Sequence, residues 1–294
     1  MPHGWIILDK PLTLGSTQAV AAVKRNLRQA GHGKVKVGHG GTLDPLATGV
    51  LPIAVGEATK LAGRMLDASK AYAFTIAFGA QTSTLDAEGE VVATSEVRPA
   101  REEVEAVLPR FTGPIEQVPP AFSALKVDGK RAYELARAGE EVALKTRSVT
   151  IHALDITDAG AASVTLVAKV SKGTYIRSLA RDIALALGSV GHVTMLRRLK
   201  AGPFGLESAI SLDKLNEIGK GAPLEEIILP LEAGLDDIPA LTLSPDAAGA
   251  VRQGRKLSGL PQADGTYWGR EGDTPVALME VESGEARVLR GFNL

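Results

Sequence analysis

The sequence predicts an α+β protein built on a mixed sheet. Segments with the alternating apolar pattern of strands and segments with a helical period are interspersed, without the regular alternation of a parallel α/β fold. The 294 residues suffice for one large domain and one small domain. Leu235-Asp236-Asp237-Ile238-Pro239 marks a junction, so we expect a main domain over 1–235 and a small β-rich unit over 236–294.

Local patterns predict the individual elements in order. An apolar strand over 4–8 ends at Asp9-Lys10-Pro11, and a helix capped by Ser16 or Thr17 runs to about Gln29. Further strands are predicted over 50–55, 70–79, 147–157, 163–171 and 192–199, and further helices over 57–66, 101–108, 131–138, 176–187 and 211–218. Beyond 239, short segments separated by Gly and Asp predict a small all-β unit.

Composition excludes several classes of site. With 45% hydrophobic residues and mean hydropathy near zero, the chain is an ordinary globular protein. The absence of cysteine excludes thiolate metal sites, disulfides and a cysteine nucleophile, and the five histidines lack metal-ligand spacing. Carboxylate-bound Mg²⁺ stays an alternative. The first residues lack a signal-peptide pattern and no apolar run is long enough to span a membrane, which predicts a cytoplasmic protein without membrane contact.

The net charge of −1 hides an uneven distribution. Residues 1–70 hold nine Lys and Arg against four Asp and Glu, and residues 169–203 hold seven against one. Residues 236–294 hold six against nine. Two basic segments can form one basic face, as a nucleic-acid-binding protein needs, although charged residues can also simply solvate a surface.

Residues 38–49, with four glycines and a proline, predict an irregular loop. Gly40 and Gly41 allow a ligand to approach the backbone closely, and Pro45 biases Asp44 toward an extended conformation. The loop could therefore present Asp44 at the floor of a cleft. From spacing alone, an ordinary glycine-rich turn with an Asx-type aspartate is the stronger interpretation. A phosphate-binding P-loop is excluded, because no Gly-Lys-Ser/Thr follows.

Three further sets of residues are ambiguous from the sequence. Tyr175 and Arg177 could stack on a base and pair with a carboxylate, or could belong to the core and the helix surface. Tyr72 alternates with Phe74, Ile76 and Phe78, a pattern typical of core residues. A lone histidine such as His39 or His192 is more often structural than catalytic.

Residues 37–52, Val-Gly-His-Gly-Gly-Thr-Leu-Asp-Pro-Leu-Ala-Thr-Gly-Val-Leu-Pro, closely resemble the catalytic-loop signature of the TruB family, the bacterial tRNA pseudouridine-55 synthases. Other family-like segments follow in the expected order: Asp9-Lys10-Pro11, 56–60, 70–72, 121–126, 133–137, 173–177 and 196–198. The resemblance covers roughly residues 4–240, and the tail is similar to a short PUA-like RNA-binding module. One departure is Thr13, which stands where the family usually has glycine, so we expect the turn near Lys10 to differ from the family's.

The resemblance implies a pseudouridine synthase fold, with a mixed, largely antiparallel sheet flanked by helices and a catalytic domain over 1–235. It implies an isomerisation without cofactor, in which Asp44 is the catalytic carboxylate and Arg177 its cationic partner. We therefore predict contact between these two residues, which lie far apart in the sequence. Tyr72 is expected to stack on the target base, and Tyr175 and Leu196 to line its pocket.

The resemblance also implies roles for residues outside the pocket. Lys10 and Pro11 would support it, and His39 would fill the space that a flipped-out nucleotide leaves or contact the neighbouring backbone. Residues expected to hold phosphates are Lys60, Arg64, Arg197, Arg198 and Lys200. The implied substrate is the T-arm of tRNA, bound by a monomer that needs no protein partner and that could also assist tRNA folding. A non-catalytic RNA-binding protein and a glycosidase-like enzyme acting on a small nucleoside are the alternatives.

Overall fold

The computed structural model describes residues 1–123, 125–127, 129–140, 142 and 144–294; Ala124, in the family-like segment 121–126, lies outside them. The strands are β1 (Gly4–Lys10), β2 (Val37–His39), β3 (Ala47–Val55), β4 (Lys70–Phe78), β5 (Ala80–Thr82), β6 (Val91–Thr94), β7 (Gly113–Gln117), β8 (Lys126–Val127), β9 (Lys130–Arg131), β10 (Arg147–Ala159), β11 (Ser163–Val170), β12 (Gly191–Ala201), β13 (Phe204–Gly205), β14 (Ala240–Thr242), β15 (Leu257–Ser258), β16 (Gly265–Glu271), β17 (Thr274–Glu282) and β18 (Glu285–Gly291). The helices are α1 (Ser16–Gln29), α2 (Ala62–Asp67), α3 (Arg101–Val107), α4 (Ala132–Arg137), α5 (Ile176–Ala186), α6 (Leu212–Ile218) and α7 (Pro245–Arg252).

Short 3₁₀ turns complete the chain at Gly56–Leu61, Leu108–Phe111, Leu206–Ser208, Leu224–Glu226 and Leu231–Leu235. Every strand and helix predicted for the main domain has a counterpart, although the helix predicted over 57–66 is a 3₁₀ turn followed by α2. The strand β7 was not predicted. It contains Pro114 and lies at the edge of the main sheet, a position that tolerates proline because the missing N–H is not needed for pairing.

The main sheet has the order β1-β3-β12-β4-β11-β10-β7, with β2 beside β3 and β13 beside β12. Among these described strands, β3 and β12 pair in parallel and every other neighbouring pair is antiparallel. The prediction of an α+β fold with a mixed, largely antiparallel sheet is confirmed. No helix in the described part of the chain is long and apolar enough to cross a membrane.

Helices pack in two groups on one face of the main sheet. Ile6 and Leu8 of β1 contact one apolar cluster with residues of α1 and α6, while Phe74 and Ile76 of β4 contact another with residues of α3 and α5. Tyr72 and Leu196 contact both clusters. The boundary between the two halves of the core therefore runs past these two side chains, and the site lies along it.

The start of α1 differs from the prediction. Gly15, not Ser16 or Thr17, is the N-cap residue, and its N–H donates to Gln18 Oε1 (2.7 Å). Ser16 Oγ instead donates to the carbonyl of Leu43 (2.9 Å) and accepts from its N–H (2.8 Å). The hydroxyl that the sequence assigned to a helix cap therefore fixes the backbone next to Asp44.

The C-terminal residues form a second sheet with the order β14-β16-β17-β18-β15. The expectation of a β-rich unit is confirmed, but the expectation that it is all-β was wrong, because α7 packs on this sheet through Ala248 and Val251. Ser244 caps α7 by accepting from the N–H of Ala247 (3.3 Å). The second sheet also contacts the main domain, since Leu278 and Phe292 share an apolar cluster with Trp5 and Ile7.

Candidate active site

The loop between β2 and β3 carries Asp44 and is held by backbone contacts. Gly40 has no room for a side chain, because a Cβ there would lie 2.5 Å from Met65 Cβ. Gly41 has φ +133°, a conformation that L side chains rarely adopt. The N–H of Thr13, whose own φ is +68°, donates to the carbonyl of Pro45 (2.8 Å). The unusual composition of this loop therefore follows from close packing on α2 and on the turn after β1.

Asp44 and Arg177 form an ion pair, as the resemblance predicts. Asp44 Oδ2 lies 3.0 Å from Arg177 Nη2, and the side chains are 39% and 6% exposed. The buried guanidinium also donates to the carbonyls of Thr84 (2.8 Å) and Phe122 (3.0 Å). Arg177 is thus fixed from several sides, while the carboxylate of Asp44 stays open to solvent.

Asp86 is a part of this arrangement that the sequence did not reveal. Its Oδ2 lies 3.5 Å from Arg177 Nη1, and its Oδ1 accepts from Thr84 Oγ1 (2.6 Å) and the N–H of Glu88 (3.0 Å). The available signal was the pattern Thr82-x-Thr84-x-Asp86, which is typical of a turn closed by side-chain hydrogen bonds. A turn of that kind is common, so the pattern alone does not indicate a site.

A cavity of about 290 Å³ opens beside this ion pair; we call it the central cavity. The structure brings together here all five residues predicted for the reaction pocket: Asp44, Tyr72, Tyr175, Arg177 and Leu196. Tyr175 is held by its main chain, whose N–H donates to Gln117 Oε1 (2.8 Å). The centre of the Tyr175 ring lies 5.7 Å from the guanidinium carbon of Arg147. Burial raises the pKa of the Tyr175 phenol.

Lys10 lies under the loop and is fully buried. Its Nζ donates to the carbonyls of Leu14 (2.6 Å), Pro11 (3.0 Å) and Pro45 (3.3 Å). Burial lowers the pKa of Lys10 to about 8, although the nearby carboxylate of Asp44 opposes this shift. These contacts make Lys10 a support for the Asp44 loop. Pro11 is exposed in the turn that follows Lys10.

A second and larger depression of about 820 Å³ adjoins the central cavity; we call it the outer cleft. The start of α1, His39, Tyr133, Arg131 and Arg137 line it. It shares the side chains of Asp44 and Arg177 with the central cavity. His39 is half-buried, and burial lowers the pKa of its imidazole, so the ring is neutral near pH 7.

Arg198 corrects one prediction. The sequence placed it among the phosphate-holding residues, but it is 1% exposed. Its guanidinium donates to the carbonyls of Val50 (2.7 Å), Gly41 (3.1 Å) and Thr42 (3.2 Å). A buried side chain whose three guanidinium nitrogens each donate to a backbone carbonyl is unsuited to binding a phosphate at the surface. Arg198 therefore holds the Asp44 loop on β12.

The other predicted phosphate ligands lie at the surface, where three have protein partners. Arg197 forms a two-pronged pair with Asp9 (2.8 and 3.1 Å), and Arg64 forms one with Asp237 (3.0 and 3.1 Å). Lys60 contacts Glu57 Oε2 (2.6 Å) and the carbonyl of Gly291 (2.8 Å). Lys200 is exposed near the junction with the second sheet. Among the described residues that line the central cavity and the outer cleft, none is one of these four, and their role in binding phosphate stays a prediction. Within the described residues, no group of three or more His, Asp and Glu side chains could hold a metal ion.

Comparison with solved structures identifies the class. A chain from the structure of an H/ACA RNP bound to a substrate RNA containing 2′-deoxyuridine superposes with a TM-score of 0.76 at 25% identity, covering 99% of this chain and 85% of that one. A chain from the archaeal box H/ACA sRNP Nop10–Cbf5 complex superposes with a TM-score of 0.73 at 25% identity, covering 99% and 86%. The fold is that of a pseudouridine synthase.

Comparison of the sequence identifies the family. Residues 24–176 match the N-terminal domain of TruB family pseudouridylate synthases, and residues 177–236 match the C-terminal domain of tRNA pseudouridylate synthase B. This chain therefore belongs to the TruB family.

Relatives named tRNA pseudouridine synthase B are similar over the whole chain. The protein from Novosphingobium aromaticivorans is 70% identical, with 100% of this chain and 98% of the relative covered. Those from Zymomonas mobilis and Caulobacter vibrioides are 62% and 49% identical, each with 99% of this chain and 96% of the relative covered.

Proposed function

We propose that this enzyme converts uridine 55 in the T-arm loop of tRNA to pseudouridine, with Asp44 as the catalytic carboxylate. The observation that carries the proposal is the partly exposed Asp44 carboxylate, paired with the buried Arg177 at the opening of the central cavity. The relatives' name, tRNA pseudouridine synthase B, supports tRNA as the substrate.

The reaction breaks the N1–C1′ bond of uridine, turns the base and rejoins it to C1′ through C5. Asp44 could attack C1′, attack C6 of the base, or remove the proton from C2′. Each route requires a carboxylate beside the nucleotide, and the guanidinium of Arg177 fixes the carboxylate of Asp44 there through an ion pair of 3.0 Å. The net change is an isomerisation, so the chemistry consumes neither a redox cofactor nor a nucleotide.

In this proposal the central cavity and the outer cleft hold different parts of the RNA. A uridine inside a folded tRNA loop has to leave its stack before Asp44 can reach it, at a cost of a few kcal/mol. The base then enters the central cavity, where Tyr72 offers a ring for stacking and Leu196 an apolar wall. The RNA backbone follows the outer cleft, where His39 takes up the space beside the flipped nucleotide and Arg131 and Arg137 supply positive charge.

Binding that opens and releases the T-arm would also assist tRNA folding. We propose that the chain performs both tasks as a monomer, with the tail over 236–294 acting as a PUA-like RNA-binding module. A turnover-deficient variant separates the two tasks, because assistance to folding would survive the loss of chemistry.

The test is an assay on unmodified tRNA transcript with mapping of pseudouridine by position. We expect wild-type protein to modify position 55, and Asp44→Asn to lose turnover at least a thousandfold while its tRNA affinity stays within about tenfold. Asp158→Asn is the matched control, because Asp158 is exposed on β10. Turnover by Asp44→Asn at a rate close to that of wild type would refute the assignment.

A further inference from the structure

The hydroxyl of Ser123 is buried without a hydrogen-bond partner. Ser123 is 4% exposed, and no atom of the described residues lies in hydrogen-bonding geometry with its Oγ. The Tyr175 hydroxyl interacts with this oxygen, but the pair falls short of that geometry. Burying an unpaired hydroxyl is unfavourable, and a buried polar group left unpaired beside a cavity is a candidate contact for a ligand.

The backbone around Ser123 is fixed although its side chain is unpaired. The N–H of Ser123 donates to the carbonyl of Ala121 (3.0 Å), and its carbonyl accepts from the N–H of Tyr133 (3.0 Å). The carbonyl of the preceding Phe122 accepts from Arg177 Nη2 (3.0 Å). The hydroxyl is thus held at a defined place, tied through one peptide to the cation that pairs with Asp44.

The position of Ser123 indicates which part of a nucleotide it meets. Ser123 lines both the central cavity and the outer cleft, as Asp44 and Arg177 do. If the base occupies the cavity and the phosphates follow the cleft, the ribose lies where the two join. A ribose 2′-hydroxyl both donates and accepts, and so does a serine hydroxyl.

We propose that Ser123 Oγ hydrogen-bonds the ribose 2′-hydroxyl of the flipped-out uridine and so helps the enzyme to select RNA over DNA. This proposal rests on the proposed function, because it needs a nucleotide in the central cavity. It makes Ser123 a specificity-determining residue for the sugar, distinct from Asp44, which acts on the bonds that change.

The test compares two synthetic T-arm hairpins that carry either uridine or 2′-deoxyuridine at the target position. We expect wild-type protein to bind the ribose hairpin about tenfold more tightly, the effect of one good hydrogen bond. Ser123→Ala should bind both hairpins with the affinity that wild type shows for the deoxyribose hairpin. Ser123→Thr, which keeps a hydroxyl, should restore the preference.

The control is Ser171→Ala. Ser171 also lines the central cavity, but its Oγ already accepts from the N–H of Thr150 (2.8 Å), so its loss should change both affinities by the same factor. A tenfold preference that persists in Ser123→Ala, or a wild-type protein without preference, would overturn the proposal. Pseudouridine mapping on tRNA is a separate readout. A wild-type protein inactive in that assay would refute the proposed function, whereas an active one with no sugar preference would refute only the role of Ser123.

Discussion

Two groups of cations in this molecule bind protein atoms in different ways. Beneath the Asp44 loop, Lys10 and Arg198 are buried and donate to main-chain carbonyls. At the junction with the second sheet, Lys60 and Arg64 are partly exposed and pair with the carboxylates of Glu57 and Asp237.

The two regions differ in how their polar groups find hydrogen-bond partners. An irregular loop leaves carbonyls without the partners that a helix or strand would supply, and buried cations satisfy them. These cations donate to neutral oxygens, whereas Arg177 forms an ion pair with the partly exposed carboxylate of Asp44. A contact between domains at the surface has water available, and its ion pairs add little stability.

The largest expected effect on stability comes from removing the guanidinium of Arg198 under the Asp44 loop. Arg198→Met removes the donors that Arg198 supplies to the carbonyls of Val50, Gly41 and Thr42, so we expect the free energy of unfolding to fall by roughly 3 kcal/mol in urea denaturation. Arg197→Met is the matched control. The neighbouring Arg197 belongs to a partly exposed pair with Asp9, and its loss should cost less than about 1 kcal/mol. Equal decreases in the free energy of unfolding of the two variants would contradict the distinction between buried and partly exposed cations.

The second effect tests how firmly Arg177 must be held. Asp86→Asn removes one carboxylate from the guanidinium and leaves Asp44 in place. We expect single-turnover pseudouridine formation to slow by about ten- to a hundredfold with tRNA affinity nearly unchanged, because small displacements of reacting groups are costly. Asp237→Asn, which removes the carboxylate partner of Arg64, should leave the rate as in wild type. An unchanged rate in Asp86→Asn would mean that Asp44 and the backbone carbonyls suffice.

A smaller effect of opposite sign is expected at Thr13. This β-branched residue has φ +68°, which is strained for an L side chain, and it stands where the family usually has glycine. Thr13→Gly removes this strain and keeps the N–H that donates to the carbonyl of Pro45. We therefore expect the free energy of unfolding to rise by about 1 kcal/mol. The same replacement at Thr17, exposed in the first turn of α1, should destabilise the protein. No gain at Thr13 would show that the turn tolerates threonine without strain.

The smallest effect is expected at the junction. Arg64→Met breaks the pair with Asp237, whose side chain is 75% exposed, so we expect a loss of no more than about 0.5 kcal/mol. The loss should shrink further at high salt, because ions screen exposed pairs. Unfolding measured at two salt concentrations checks this. A loss above about 2 kcal/mol would place this pair with the buried cations and remove the distinction between the two regions.

Local patterns in the sequence predicted the framework of the main domain. Alternation placed β4 almost to the residue, because one face of that strand is buried. The same period of two puts Arg198 on the same face of β12 as Leu196, which was a usable sign that Arg198 is buried. The positive charge of Arg198 suggested a phosphate ligand instead. Tertiary packing decided that case, since the carbonyls that Arg198 binds belong to the Asp44 loop and to β3, about 150 residues away.

The candidate site was less accessible to sequence patterns. Contact between Asp44 and Arg177 was predicted from family resemblance, and spacing alone favoured an ordinary turn. Asp86 and Ser123 were missed, because the features that distinguish them are a distant guanidinium and an unpaired hydroxyl. Neither feature leaves a trace in local composition.

The parallel pairing of β3 with β12 bears on how the enzyme comes to be active. Residues 56–190 separate these strands, and pairings so distant along a chain tend to form slowly. Asp44 lies three residues before the start of β3, and Leu196 lies in β12 opposite Ala47. The pocket is therefore assembled only when this long-range step is complete, and recovery of activity during refolding should lag behind the recovery of helical structure.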